Sequence, residues 1–402
     1  MKIYVVGMGS RGDNEPFRAL AFEAASLGHE VYFAHTTDIS QDRGVPFQEL
    51  ELPGSFEDLI SEQGTSVVNA VKNYTSAVKP LLEGIYREST KQIRELEPDV
   101  VVYHPKVVTA ATAAHSVGAL AAIAETFPTL IRTREFAAAG ITWPLPGFLN
   151  RASYGLVRAG MKAAAGPAIE LAKELDVVRI APDLSLCAVS PTLVPQPRDW
   201  PDYATMTGHW SLVRAMPADD ELQEFLTGTP VLYARFGSMR DDRGAQRAYV
   251  IVKTARSLGF KTLLVTGWGG LVPSQEMRAA PDVMIRATVD HHAVLPKVTI
   301  ALHHGGAGTV HRMVSTGLPS VIMPFLADQP WWAARLHALG LGPKAVNKNI
   351  SSPEALKKSI VEAMSKAPKV REAAESMAVE DGAGNAVRIL EEAEAGVGPL
   401  AP

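Results

Sequence analysis

The run His303-His304-Gly305-Gly306-Ala307-Gly308-Thr309 is the part of this 402-residue chain best suited to chemistry. Its three glycines within four positions let a backbone approach a ligand closely. Residues 300–302 read as a strand before it and a helical pattern follows, so unpaired N–H groups at the helix start face whatever the turn holds. Such a turn attracts an anion. The run has no lysine of the phosphate-loop kind, so the expected ligand is a diphosphate held by amides, a hydroxyl and an imidazole. His304 is assigned to the phosphates, and His303 is expected to point the other way. The plainer alternative is a structural pair of histidines at a strand end.

Two other segments should reach the same edge. Asp328 and Gln329, in the run from Pro324 to Pro330, end the next strand and open a helix. A carboxylate beside an amide offers sugar hydroxyls both an acceptor and a donor; helix capping by Asp328 is the alternative. Ser238, after the strand 231–234, offers a hydroxyl near the phosphates.

In the N-terminal half, Gly7-Met8-Gly9-Ser10-Arg11-Gly12 spells GxGxxG after a strand. A dinucleotide fingerprint would open its helix within the glycines and place an acid at the end of the second strand. Here Pro16 sets the expected helix start late, near residue 16, and the second strand ends in Ala34-His35. Two readings of residues 10–13 stay open. In one, a loop tip presents Asp13 as a base that takes a proton from a hydroxyl. In the other, Asp13 or Asn14 caps the following helix.

The elements that carry these residues alternate. Strands at 3–6, 31–34, 100–103 and 184–189 are separated by helical patterns, and the alternation restarts at 231–234, 263–265, 283–285, 300–302 and 321–323. Parallel strands with crossover helices follow from such a pattern. Prolines 191, 195, 197, 201 and 217 mark a linker. The expected division is residues 1–205, residues 206–380 and a closing helix and tail at 381–402, with three helices between 351 and 395. Two such α/β domains should leave a cleft at the carboxyl ends of their strands, where open parallel sheets bind ligands.

Bulk properties agree with an enzyme. Hydrophobic residues at 47% and charged residues at 20% suit two packed cores. A formal net charge of −4 speaks against a nucleic-acid partner, whose phosphates need a basic surface. Cys187, alone of its type, leaves no internal disulfide or cysteine zinc site and reads as a buried strand residue. The N-terminus runs straight into a strand, from which a cytoplasmic location is expected. Residues 107–124 read as buried helix plus strand rather than a membrane span.

Taken together, GSRGD at 9–13, FGSM at 236–239, HHGGAGT at 303–309 and ADQP at 327–330 resemble the nucleotide-sugar glycosyltransferases that modify antibiotics, sterols and glycolipids. Linker residues Ser190-Pro191, Asp199-Trp200-Pro201 and 207–210 are similar to those of the bacterial and sterol glucosyltransferase branch. The resemblance implies the GT-B fold, two doubly wound Rossmann-like domains facing across a cleft. It further implies that His304, Gly306, Gly308 and Thr309 contact a diphosphate, with Ser10 and Ser238 nearby. Asp328 and Gln329 would bind the donor sugar, and Val289 with His291 would pack beside the pyrimidine. Asp13 matches the base of the antibiotic enzymes, and His104, at the end of strand 100–103, is its substitute or partner. Val310 and Arg312 depart from the pattern, the latter standing where the plant branch has a ribose-binding glutamate.

The implied reaction is inverting transfer of a hexose, with glucose as the prior, from UDP- or dTDP-sugar to a hydroxyl of a hydrophobic small molecule, with no metal and no resident cofactor. The acceptor is expected on the N-terminal half, where residues 136–166 include Trp143 and Phe148. That stretch reads as an aglycone pocket, as a weak contact with anionic membrane, or as core packing. A nucleotide-sugar epimerase and a non-catalytic nucleotide-sugar sensor are the rival readings. Monomer or homodimer is the expected state.

Overall fold

A computed structural model describes residues 1–9, 11–37, 44–56, 58, 78–138, 141–143, 145–212, 219–237, 239, 241–267 and 269–401. The chain forms two compact units. One takes residues 1–138, 144–212 and 380–402, the other residues 139–143 and 213–379.

The first unit contains β1 (Lys2–Val6), α1 (Arg11–Ser26), β2 (Glu30–Thr36), β3 (Gln48–Leu52), α2 (Lys79–Leu96), β4 (Val100–Tyr103), α3 (Ala110–Ser116), β5 (Leu120–Glu125), α4 (Gly147–Ala164), α5 (Gly166–Glu174), β6 (Leu184–Cys187) and β7 (Ala204–Met206). Its parallel sheet runs in the order β3-β2-β1-β4-β5-β6-β7. Ile3, Val5, Val100 and Val102 face one layer of helices, while Tyr4, Val6, Val101 and Tyr103 face the other. Burial on both faces explains why these strands read as continuous apolar runs. Each fully buried Val or Ile contributes about 1.5–3 kcal/mol. Helix α1 starts at Arg11, five residues earlier than Pro16 suggested. The N-terminal turn reaches back to the glycines, and Pro16 is accommodated inside the helix.

The second unit contains α6 (Asp220–Phe225), β8 (Val231–Arg235), α7 (Gly244–Ser257), β9 (Lys261–Val265), α8 (Gln275–Ala279), β10 (Val283–Arg286), α9 (His291–Val294), β11 (Ile300–His303), α10 (Ala307–Ser315), β12 (Ser320–Ile322), α11 (Gln329–Ala338), α12 (Pro353–Ser365) and α13 (Ala367–Ala378). The sheet order is β10-β9-β8-β11-β12, again parallel. Both sheets therefore reverse direction of growth once, between β1 and β4 in the first and between β8 and β11 in the second. Ligands of open α/β sheets bind at such switch points.

The last helix, α14 (Gly382–Glu394), packs on α1 and belongs to the first unit. Asp381 caps it by accepting from the Gly384 amide at 3.1 Å. Glu380 accepts from the Ser190 and Thr192 hydroxyls at 2.8 and 2.7 Å, and Asn385 donates to the Thr207 carbonyl. A Cβ on Gly382 would lie 2.5 Å from the His209 carbonyl oxygen, so backbone meets backbone there. Cys187 is buried, and residues 107–124 form α3 and β5 within the core. Among the described residues no helix is long and apolar enough to cross a membrane.

Candidate functional site

In the second unit the strand β11 ends in His303, which is fully buried. Its Nδ1 accepts from the Gly305 amide at 3.1 Å, so the ring proton lies on Nε2, 3.0 Å from the Ser320 hydroxyl. Burial, then the neighbouring His304, lowers its pKa to about 3. His303 thus points into the sheet and shapes the turn, as expected. Gly305 takes φ +91°, and a Cβ there would lie 2.5 Å from Ile322, so a glycine is required on both counts.

His304 turns the other way and is half-buried. Cβ atoms on Gly237 and Gly306 would stand 3.4 and 2.8 Å from its ring. Two glycines, one after β8 and one after β11, make the slot in which the imidazole sits. Its Nδ1 is buried and has no hydrogen-bond partner among the described residues. Burial, then the charge of Arg235, lowers its pKa to about 4, so the ring is neutral at physiological pH. Helix α10 opens at Gly306 without a side-chain cap, and Gly308 and Thr309 lie in its first turn. The unpaired amides of that turn and the His304 ring therefore share one end of the sheet.

Around them stand groups the sequence had only partly marked. Arg235 donates to His291 Nε2 at 2.6 Å, and Arg312 donates to His292 Nε2 at 2.6 Å. Asp290 caps α9 by accepting from the amides of His292 and Ala293, while Val289 packs against the core beneath it. Gln329 is buried and its carbonyl oxygen accepts from the amides of Phe325 and Leu326 at 2.7 and 3.1 Å. Gln329 therefore holds its own loop, in which Ala327 adopts φ +56°, a conformation costing about 1–2 kcal/mol outside glycine. Asp328 is half-buried and its Oδ2 accepts from the Trp332 indole at 3.1 Å rather than capping α11.

Under these loops lies Arg247, 1% exposed, which the sequence reading did not single out. It forks onto Asp241, donates to the Gly270 carbonyl at 2.6 Å, and lies over the rings of Phe236 and Phe325 at 5.4 and 4.7 Å. An arginine in step with the apolar positions Ala248, Ile251 and Ala255 of its helix was the available signal.

In the first unit, β1 leads through Gly7, Met8 and Gly9 to α1. A Cβ on Gly7 would stand 2.2 Å from Asn14 Oδ1, and one on Gly9 would stand 2.4 Å from Asp13 Oδ2. Gly9 also takes φ +129°. These two glycines make room for the side chains of the first helical turn, which accounts for the first two glycines of the GxGxxG run without a dinucleotide. Asp13 is half-buried in that turn, not on a loop tip. Asn14 donates from Nδ2 to the Gly9 carbonyl at 2.9 Å.

His104 follows β4 on the neighbouring strand across the switch point, and Phe17 of α1 packs 5.6 Å from its ring. The Lys106 amide donates to its Nδ1 at 3.1 Å, leaving the proton on Nε2. Burial and the charge of Lys106 lower its pKa to about 3, with Asp13 opposing them. Asp13 and His104, 91 positions apart, are close enough to interact electrostatically. At the end of β5, Glu125 is buried, and burial raises its pKa to about 8 against the Thr129 and Leu130 amides that donate to it.

Phe148, on the first turn of α4, is 70% exposed and Trp143 is 59% exposed, so neither is a core residue. Leu149 and Leu156 of α4 are exposed as well, which overturns the core-packing alternative for these side chains. Ser10 and Ser238 lie outside the described residues. Among the described residues no three His, Cys, Asp or Glu side chains gather as a metal-binding set.

Residues 273–387 match the family described as erythromycin biosynthesis protein CIII-like, C-terminal domain. Over 98% of its length the chain is 28% identical to O-mycaminosyltylonolide 6-deoxyallosyltransferase of Streptomyces fradiae, covering 97% of that relative. It is 27% identical to vancomycin aglycone glucosyltransferase of Amycolatopsis orientalis, with 85% of each chain covered. Against the sterol 3-beta-glucosyltransferase of Debaryomyces hansenii it is 25% identical over 95% of its own length, but spans 26% of that protein. Among solved structures, the calicheamicin glycosyltransferase CalG4 is similar with a TM-score of 0.71 at 16% identity, 98% of each chain being covered.

Proposed function

We propose that this chain, a GT-B glycosyltransferase of the antibiotic and sterol type, transfers a hexose, glucose in the first instance, from a UDP- or dTDP-sugar to a hydroxyl of an apolar natural product, sterol or lipid. The observation that carries the donor half is the glycine slot holding a neutral His304 beside the uncapped start of α10. Amide dipoles and a ring N–H there would hold the diphosphate and stabilise the charge it gains on leaving. Gly306, Gly308 and Thr309 belong to that turn, Ser10 and Ser238 are further proposed diphosphate contacts, and Val289 and His291 are proposed to meet the base. Asp328 and the loop held by Gln329 would meet the sugar hydroxyls.

The transfer is a single displacement. The acceptor oxygen attacks the anomeric carbon, the bond from that carbon to the diphosphate oxygen breaks, and configuration inverts. Asp13 takes the acceptor proton. His104 suits that task less well, because its one basic nitrogen already accepts from Lys106 and the other carries a proton. A neutral His104 whose Nε2 bears that proton suits the role of orienting Asp13. The protein's own groups carry each of these steps, so the proposal requires neither a metal nor a resident cofactor. Trp143 and Phe148 remain the proposed acceptor contacts, their exposure being compatible with a bound aglycone or with a membrane surface. The cytoplasm is the proposed compartment.

The test is mass spectrometry of products formed from UDP-glucose and dTDP-sugars with a library of hydroxylated aglycones. A donor-dependent mass gain on an aglycone supports transfer. Altered sugar without any acceptor would mean an epimerase, and unchanged donor that nevertheless binds would mean a sensor.

A further inference from the structure

We propose that Arg235 supplies the positive charge that balances the donor's diphosphate, an assignment that rests on the nucleotide-sugar reading of this unit. Arg235 is the last residue of β8 and pairs in register with His303, the last residue of β11. Its guanidinium therefore starts from the strand beside the glycine turn, at the switch point. Its charge reaches His304, where it is the second influence, after burial, keeping that ring neutral.

A neutral His304 and a set of amides carry no formal charge, while a nucleoside diphosphate brings about two negative charges into a partly desolvated turn. Desolvated phosphates need a cation in reach, or their burial is costly. Three other arginines of the unit are paired with carboxylates, and Arg312 donates to His292 Nε2. Arg247 pairs with Asp241, Arg256 with Asp282, and Arg286 with Asp219 and Glu221. Arg235 is half-buried and, among the described residues, has no carboxylate within ion-pair distance; it donates to His291 Nε2 at 2.6 Å and lies beside the Tyr233 hydroxyl. That imidazole accepts from one N–H and so fixes the guanidinium in place, leaving further N–H groups to fork onto phosphate oxygens. A fixed cation also stabilises the charge that grows on the diphosphate as the sugar leaves. His291 becomes a positioning residue in this account.

The experiment compares UDP and uridine binding to the full chain by titration calorimetry, with uridine measured by competition where it is weak. The expected result is that Arg235→Met weakens UDP about 10- to 100-fold and leaves uridine within about twofold. Arg235→Lys should recover part of the loss, and raising the salt should weaken UDP more in the wild type than in Arg235→Met. His291→Ala, which keeps the charge but frees it, should lose less than Arg235→Met. If Arg235→Met fails to fold by circular dichroism, Arg235→Gln takes its place in the comparison. A variant that binds UDP as the wild type does, or that loses UDP and uridine equally, overturns the assignment. Absence of binding of both UDP and dTDP to the wild type would instead reject the nucleotide-sugar reading itself.

Discussion

His304 and Asp13 each stand just past a strand at a switch point, yet their removal is expected to fail in different ways. His304 touches glycines and makes no described hydrogen bond through Nδ1, so His304→Ala leaves the turn's internal bonds intact. Its turnover should fall about 100- to 1,000-fold, the usual loss for one donor to a developing charge, with an unchanged melting temperature. Asp13→Asn keeps the shape of the first turn of α1 and removes the proposed base, so kcat should fall about 100- to 10,000-fold while UDP affinity stays level. Steady-state kinetics and calorimetry on the two variants separate these outcomes, and near-normal turnover in Asp13→Asn would move the base elsewhere. Both residues stood out in the sequence because glycines surround them. Arg235 did not, since an arginine closing an apolar strand gives no sign of which neighbour it will meet.

At the scale of elements, glycines again decide, through packing. Gly382 opens α14 where the backbone of 208–209 passes, and an added methyl would meet it at 2.5 Å. Gly382→Ala should cost about 1–3 kcal/mol and raise amide exchange in 382–394 and 204–212. Gly155, inside α4 with nothing within 4 Å of an added Cβ, is the contrasting case. There an alanine should stabilise by about 0.4–1 kcal/mol, because the helical backbone needs no special φ. Paired thermal melts check both signs. The three closing helices were legible from their Ala, Glu and Lys content, but their partners were not. Helix propensity is local, whereas α14 packs on α1 at the other end of the chain and is anchored at its start by Glu380 and Asn385, which meet Ser190 and Thr207 at separations of 190 and 178 positions.

For the whole molecule the buried histidines set the acid limb of stability. His104, His303, His304 and His311 have pKa values lowered to about 3 or 4, each chiefly by burial. Between those values and about 6.5 the unfolded chain binds protons that the folded chain does not, so stability falls as the pH falls. Each group contributes about 1.4 kcal/mol per pH unit across that window. Glu125 acts in the opposite sense. Its folded form keeps a proton between pH 4.5 and about 8, so stability declines as the pH rises through that range. The melting temperature should therefore peak near pH 6.5 and drop steeply toward pH 5. Glu125→Gln should flatten the alkaline side and steepen the acid side, because the Glu125 carboxyl opposes the histidines between pH 4.5 and 6.5. Scanning calorimetry from pH 5 to 8 measures both, and a level acid limb would show that these imidazoles titrate normally.

Sequence alone determined the two α/β units, the placement of motifs after strands, and the inward turn of His303. Those properties follow from apolar periodicity and from glycine, whose backbone freedom is readable one residue at a time. Tertiary structure decided the rest. It started α1 at Arg11, returned the tail to the first unit, and turned Gln329 inward to hold its loop. It also set Asp13 near His104 and Arg235 beside the His304 turn. Strand order places neighbours from distant parts of the chain side by side, and charge and hydrogen bonding act through that distance in space.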